Sequence, residues 1–202
     1  MSRAPRPHSA AGAAAAGLAP LADDHALLCE AVRAAGEVAL DWRRRGFEVR
    51  EKKPGDPVTD ADMAVNGALH AHLMGARPGY GWLSEEGPDD DNRQAAPRTW
   101  VIDPIDGTKG FVAGNDEWVV SVALVDAGRP VAAAICNPAT GVFWDAVKGG
   151  GTRRDGAPVR ATRAASMAGL VLGSSRNEER RRLWTHLVPA SDVRVVDAIA
   201  RW

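Results

Sequence analysis

The segment Trp100–Thr108 constrains the fold most strongly, because an apolar run in it passes directly into two carboxylates. Its first three residues predict a buried strand, and Asp103 and Asp106 follow that strand. Pro104 has a fixed φ angle and no amide hydrogen, so the turn could aim both carboxylates and the carbonyl of Ile105 at one point. Buried carboxylates are costly unless a cation neutralises them, and no basic residue is local to Asp103 in the sequence. The pattern favours a site for a hard divalent cation such as Mg²⁺, although Asp-Pro and Asp-Gly are also ordinary turn dipeptides.

A second acidic pair follows an earlier strand. Residues 80–84 predict a short strand that runs into Glu85 and Glu86, and this repetition strengthens the case for a metal site. Residues 107–110 follow Asp106, and a helix that began there would present its free backbone N–H groups to an anion. A divalent cation beside a helix N-terminus would together make a phosphate site.

The chain before the acidic turns predicts two amphipathic helices. Apolar residues recur at helical spacing over 23–45, and a second helix begins near Thr59. Thr59 and Asp62 form a Thr-x-x-Asp pattern that is typical of a capping box. The composition of residues 52–57 and 88–98 predicts loops.

The chain after the acidic turns predicts strands joined by turns. Apolar runs separated by Gly, Asn and Pro indicate an antiparallel meander, and Asp155–Gly156 indicates a hairpin. A later strand–helix–strand pattern suggests the opening of an α/β unit. The predicted meander strands are 118–125, 130–136 and 141–147; the later elements are a strand at 170–172, a helix at 177–187 and a strand at 193–196.

Composition narrows the functional class. The 202 residues carry 25 basic and 26 acidic side chains, which argues against a binder of nucleic-acid polymers. No apolar run approaches the roughly 18 residues that a membrane span needs. Cys29 and Cys136 are too few and too far apart for a disulfide framework, which fits a cytoplasmic protein. The Ala-rich residues 1–20 predict a disordered tail or a misassigned start.

Trp100–Thr108 resembles the signature of the inositol monophosphatase-like superfamily, whose members are Mg²⁺-dependent, lithium-sensitive phosphatases. Residues 56–62, 83–87 and 149–152 resemble further elements of that superfamily in the same order. The likeness runs from about residue 23 to the end of the chain. It implies an α+β, layered αβαβα sugar-phosphatase-like fold.

The resemblance also implies roles for individual residues. Asp62 and Thr108 would orient or deprotonate the attacking water, alone or with Glu85, and the backbone N–H groups of Gly107 and Thr108 would hold the phosphate. A small phosphorylated substrate would be hydrolysed in line, without a covalent phosphoenzyme. The oxygen donors to two or three Mg²⁺ ions would be Glu85, Asp103, Asp106 and the carbonyl of Ile105.

The branch of the superfamily is indicated by two short stretches. Residues 83–86 and 106–109 resemble the CysQ-type bisphosphate nucleotidases, although Gly110 stands where those proteins usually carry Glu. The favoured substrate is therefore 3′-phosphoadenosine 5′-phosphate, which would lose its 3′-phosphate. Inositol phosphate, another sugar phosphate and histidinol phosphate remain alternatives.

Members of the superfamily are longer than this chain and are commonly homodimers. A late Trp-Asp element, which supplies a further metal-binding Asp in those proteins, is not found before Trp202. We therefore expect an N-terminal α+β metal- and phosphate-binding domain over 21–165 and an incomplete C-terminal α/β domain over 166–202. A largely inactive fragment that binds metal or phosphate is the alternative to an active enzyme.

Overall fold

The computed structural model describes residues 19–88, 91–161, 163, 172–181 and 193–196. Most of the predicted N-terminal tail and the predicted domain boundary after residue 165 lie outside the described residues. The helices are α1 (Leu21–Arg45), α2 (Asp60–Ala76), α3 (Thr108–Val112) and α4 (Arg176–Arg181), and a 3-10 turn spans Asp91–Gln94. The strands are β1 (Val49–Lys53), β2 (Asp56–Thr59), β3 (Gly81–Ser84), β4 (Arg98–Asp106), β5 (Val119–Asp126), β6 (Arg129–Asn137), β7 (Val142–Val147), β8 (Gly151–Arg154), β9 (Ala157–Val159), β10 (Leu172–Ser175) and β11 (Val193–Val196).

A seven-stranded sheet runs in the order β3-β4-β5-β6-β7-β8-β9. Strands β3 and β4 are parallel, and each later neighbour pairs antiparallel. The predicted meander is therefore confirmed, and so is the hairpin at Asp155–Gly156, which joins β8 to β9. The alternation of buried and partly buried residues along β5 reflects a sheet with one face against the helices.

Helices α1 and α2 pack on each other and on the sheet. Helix α1 buries a stripe of small and branched residues at helical spacing, and its first and last turns carry acidic and basic residues respectively, as the helix dipole favours. Asp24 is wholly buried and accepts from Arg77 at 2.7 Å, Arg98 at 2.5 Å and the Tyr80 hydroxyl at 2.7 Å. This network ties the start of α1 to the beginning of the sheet.

Two predicted loops contain secondary structure. Residues 52–57 were expected to form a loop, but β1 and β2 pair there as an antiparallel hairpin. All five residues of β1 are exposed, so the strand lacks the apolar alternation that would identify it. Residues 88–98 include the 3-10 turn.

The last described elements agree with a strand–helix–strand unit. Strands β10 and β11 pair in parallel, and α4 follows β10 directly. The predicted strand at 170–172 appears as β10, which begins at Leu172, and the predicted helix at 177–187 is described only to Arg181. Among the residues that the structure describes, no helix is long and apolar enough to cross a membrane.

Candidate active site

The acidic residues at the ends of β3 and β4 lie side by side. The two strands are parallel neighbours with Ser84 opposite Ile102, so the residues beyond them leave the same edge of the sheet. The backbone N–H of Glu85 donates to the carbonyl oxygen of Ile102 at 3.2 Å. The fold thereby brings Glu85 next to Asp103, although 18 positions separate them in the sequence.

Asp103 lies among other negative charges. Burial and these charges raise the pKa of Asp103 from 3.8 to about 7. A divalent cation would favour the ionised form again, because an opposite charge nearby offsets both effects. The charges belong, in decreasing order of effect, to Glu85, Asp106, Asp62 and Glu86.

An irregularity at Pro104 shapes the turn between the two aspartates. The register of β4 against β5 shifts between Asp103 and Asp106, because proline has no N–H to donate to the strand ladder. Beyond it, the carbonyl oxygen of Ile105 accepts from the Thr108 hydroxyl at 3.0 Å. A carbonyl oxygen has two lone pairs, so this contact leaves Ile105 able to face a cation as well.

The start of α2 holds the carboxylate of Asp62. The predicted capping box is confirmed: the Thr59 hydroxyl and N–H donate to Asp62 Oδ2 at 2.6 and 2.8 Å, and Asp62 N–H donates back to Thr59 Oγ1 at 3.4 Å. Burial raises the pKa of Asp62, the contacts with Thr59 oppose the rise, and Glu86 adds to it. The other oxygen, Oδ1, lies 3.4 Å from the Thr108 hydroxyl. Asp62 is only 1% exposed, so it is a rigid acceptor beside Thr108.

Lys52 is a site residue that the sequence did not indicate. From β1 its ammonium contacts Glu85 Oε1 at 2.8 Å and Glu86 Oε1 at 2.6 Å. Partial burial disfavours the charge, but these two hydrogen bonds raise the pKa of Lys52 overall. No basic residue lies near Asp103 in the sequence, but the fold brings Lys52 to the acidic cluster. The β1–β2 hairpin supplies this cation from 33 residues away.

The backbone after Asp106 requires glycine at two positions, for a different reason at each. Gly107 precedes α3 in the left-handed region, with φ 92°, where glycine is strongly preferred. A Cβ atom on Gly110 would lie 2.6 Å from the carbonyl oxygen of Glu117. That close approach gives a steric reason for glycine where the CysQ-type pattern has Glu. The predicted helix begins at Thr108 but has only five residues, so an anion would meet a few N–H groups rather than a long helix dipole.

The donor set suits a hard cation. Carboxylate and carbonyl oxygens are the ligands that Mg²⁺ prefers, and the raised pKa of Asp103 reflects its burial first and the neighbouring negative charges second. The sequence-predicted residues that gather at this edge of the sheet are Asp62, Glu85, Asp103, Ile105, Asp106, Gly107 and Thr108.

Comparison with known sequences identifies relatives over most of the chain. The profile described as "Inositol monophosphatase family" matches residues 21–193. An inositol-1-monophosphatase of Rhizobium meliloti is 35% identical over 150 residues, which are 73% of this chain and 56% of that protein. The 3′(2′),5′-bisphosphate nucleotidase CysQ of Escherichia coli K12 is 34% identical over 125 residues, 60% of this chain and 51% of that protein. This chain therefore spans about half the length of these curated relatives, whose names differ in substrate.

Solved structures agree on the fold. The extragenic suppressor protein suhB of Bartonella henselae superposes with a TM-score of 0.78 at 24% identity, covering 87% of this chain and 70% of that one. This likeness confirms the predicted α+β, layered sugar-phosphatase-like fold.

Proposed function

This chain belongs to the inositol monophosphatase family, and we propose that it is a Mg²⁺-dependent phosphomonoesterase whose reactive centre is the acidic edge of the sheet. The observation that carries the proposal is the position of Asp103, where burial and the negative charges of four other carboxylates raise its pKa to about 7. A fold does not place so much like charge together without cost. Divalent cations offset that cost and are the partners of phosphate chemistry.

The proposed magnesium ligands are Glu85, Asp103, Asp106 and the carbonyl oxygen of Ile105. When bound, Mg²⁺ would supply Lewis-acid stabilisation of the phosphoryl oxygens and activation of water. The number of ions is proposed as two or three from the family resemblance. Lys52 would have to leave or share Glu85 when that carboxylate serves a metal, because its ammonium now holds Glu85 Oε1.

Asp62 and Thr108 are the residues proposed to orient and deprotonate the attacking water. The single hydrogen of the Thr108 hydroxyl has two acceptors within reach, the Ile105 carbonyl oxygen at 3.0 Å and Asp62 Oδ1 at 3.4 Å. Once a cation engages the carbonyl, the hydroxyl would donate to Asp62 and turn its lone pairs outward to accept a proton. Thr108 would so orient a water molecule, with Asp62 as the group that finally holds the proton. Glu85 could share this role. The N–H groups of Gly107 and Thr108 would bind the phosphate.

The finer proposal concerns the substrate. We propose 3′-phosphoadenosine 5′-phosphate, with loss of its 3′-phosphate, because residues 83–86 and 106–109 resemble the CysQ branch. The departure at Gly110, where the loop leaves no room for a Cβ atom, counts against that branch. Inositol phosphate is the second candidate, supported by the 35% identity to an inositol-1-monophosphatase. The reactive centre would lie within a domain over 21–165, with 166–202 beginning a second one.

A phosphate-release assay tests both levels of the proposal. The 202-residue chain would be given the nucleotide or inositol 1-phosphate, with Mg²⁺, with EDTA, and with Mg²⁺ plus Li⁺. We expect Mg²⁺-dependent, Li⁺-inhibited release that is faster from the nucleotide. Asp106→Asn should abolish it, whereas Asp116→Asn, a change at an exposed carboxylate, should not.

The possible results of this assay distinguish the proposed substrate from the proposed reaction class. Faster release from inositol 1-phosphate would overturn the substrate and leave the reaction class standing. No release by a folded sample with either substrate would refute the proposal that these residues suffice for hydrolysis.

A further inference from the structure

A second cluster of metal-binding side chains lies apart from the acidic edge, between α1 and β7. His25 and Cys29 are four residues apart on α1, so they share one face of the helix. His25 Nε2 lies 3.0 Å from Asp145 Oδ2 on β7 and 3.5 Å from Cys29 Sγ. One donor atom from each of the three residues lies within 4.8 Å of the other two.

The cluster is a built, inward-facing site. His25 is 8% exposed and Asp145 7%, and Cys29 is partly buried. Asp145 stands opposite Ala134 in the sheet, so two rigid elements position the three donors. A metal held there would bridge the first helix and the middle of the sheet.

The geometry does not suit nucleophilic catalysis. A Cys–His–Asp relay uses both ring nitrogens, one toward the thiol and one toward the carboxylate. Here the same nitrogen of His25 faces both Cys29 and Asp145. A single nitrogen cannot take a proton from one partner while donating one to the other, but donors that converge on one side of it can share a cation.

The spacing and chemistry suit zinc. Around a tetrahedral Zn²⁺, bond lengths of about 2.0–2.3 Å place N, O and S ligand atoms about 3.4–3.6 Å apart. The distances from His25 Nε2 to Asp145 Oδ2 and to Cys29 Sγ, 3.0 and 3.5 Å, are close to that range. One imidazole, one thiolate and one carboxylate form a mixed set that Zn²⁺ accepts and that Mg²⁺, which prefers oxygen, does not. We propose that His25, Cys29 and Asp145 bind a Zn²⁺ ion, with the fourth position open to water.

Two arginines lie beside the cluster and act on two of its members. Arg153 donates to Asp145 Oδ2 from Nη2 at 2.7 Å and from Nε at 3.0 Å, which orients the carboxylate as an outer partner of a metal site does. Burial and then Asp145 raise the pKa of the Cys29 thiol to about 11, while Arg33 and Arg153 lower it. A metal would supply the positive charge that the thiolate lacks.

Cobalt is a spectroscopic probe for this arrangement. The full chain, reduced and stripped with a chelator, would be titrated with Co²⁺ in the presence of excess Mg²⁺, which occupies oxygen-only sites. We expect one equivalent of Co²⁺ to produce a thiolate-to-cobalt charge-transfer band and the visible bands of tetrahedral cobalt. Zn²⁺ should then displace it, because zinc binds such sites more tightly.

The two cysteines provide a matched pair of variants. Cys29→Ser should remove the charge-transfer band and weaken Zn²⁺ binding by at least about 10-fold, the loss expected even for an outer-shell partner. Cys136→Ser, which changes the other buried thiol, should leave both unchanged. His25→Gln should act like Cys29→Ser, and circular dichroism would verify that each variant is folded.

Either of two results would overturn the proposal. One is a folded wild-type chain that shows no charge-transfer band with Co²⁺. The other is a band of equal strength in Cys29→Ser. Neither result bears on phosphate release, because the Zn²⁺ cluster contains none of the residues proposed for that reaction.

Discussion

Replacing Asp103 with Asn should stabilise the metal-free protein at alkaline pH while removing its response to Mg²⁺. The pKa of Asp103 is about 7 in the fold, against 3.8 as its ordinary value. The folded state thus holds this proton more tightly than the unfolded chain. Below about pH 4 the group costs nothing, and folding stability falls as pH rises from about 4 through 7. Asn carries no charge at any of these pH values and avoids the loss.

The magnitude follows from the pKa difference. Raising the pKa from 3.8 to about 7 would cost roughly 4 kcal/mol above pH 7, since each tenfold change in proton affinity is worth about 1.4 kcal/mol. Asp103 is only partly buried, and solvent screening reduces that figure to roughly 2 kcal/mol. For a chain of this size, 1 kcal/mol moves Tm by about 2–4 °C. We therefore expect Asp103→Asn to raise Tm by about 4–8 °C in EDTA at pH 8.

Thermal unfolding at two pH values, with and without Mg²⁺, tests this. At pH 4, close to the ordinary pKa of Asp, little of this loss has developed, so the two proteins should unfold at nearly the same temperature. At pH 8 Mg²⁺ should raise the Tm of the wild type and leave Asp103→Asn unchanged. Asp56→Asn removes an exposed carboxylate and controls for the change in net charge.

The reasoning is refuted if Asp103→Asn is less stable than the wild type in EDTA at pH 8. It is equally refuted if the stabilisation persists unchanged at pH 4, because charge would then not be its source. A full Mg²⁺ response in Asp103→Asn would remove Asp103 from the ligand set.

Three further variants, one of them with a matched control, test the surroundings of the site. Thr59→Ala removes the cap of α2 and should cost about 1 kcal/mol in urea unfolding; it should also lower kcat, since Asp62 loses its orientation, and an unchanged kcat would contradict that role. Lys52→Met removes a cation that competes for Glu85, so calorimetric titration should show tighter Mg²⁺ binding, and weaker binding would mean that Lys52 supports the site. Gly110→Ala forces a Cβ into a carbonyl oxygen 2.6 Å away and should destabilise the chain. Gly67→Ala, in open space on α2, should instead stabilise it by up to about 1 kcal/mol, and equal urea midpoints would disprove the steric argument.

Some of the site could be predicted because its signals are local. The Thr59–Asp62 capping box needs only three-residue spacing, and both acidic turns directly follow apolar strands that the sequence makes visible. The parallel pairing of β3 with β4 then places Glu85 beside Asp103, as the predicted ligand set requires.

Other parts had no local signal. Strand β1 is exposed along its whole length, so neither the hairpin nor the reach of Lys52 to Glu85 could be inferred from hydrophobic spacing. The sequence excludes a disulfide framework for Cys29 and Cys136 and indicates no metal role for Cys29. Its neighbour Asp145 is more than a hundred residues away, and only the packing of α1 on the sheet brings them together.

Anomalous diffraction from crystals grown with Mn²⁺ tests the central claim most directly. Mn²⁺ accepts the same oxygen ligands as Mg²⁺, and its anomalous signal locates it without reference to activity. We predict a strong peak within bonding distance of Glu85, Asp103, Asp106 and the carbonyl oxygen of Ile105, with Lys52 displaced from Glu85. A well-ordered acidic edge that shows no peak at saturating Mn²⁺ would contradict the assignment of these residues as metal ligands.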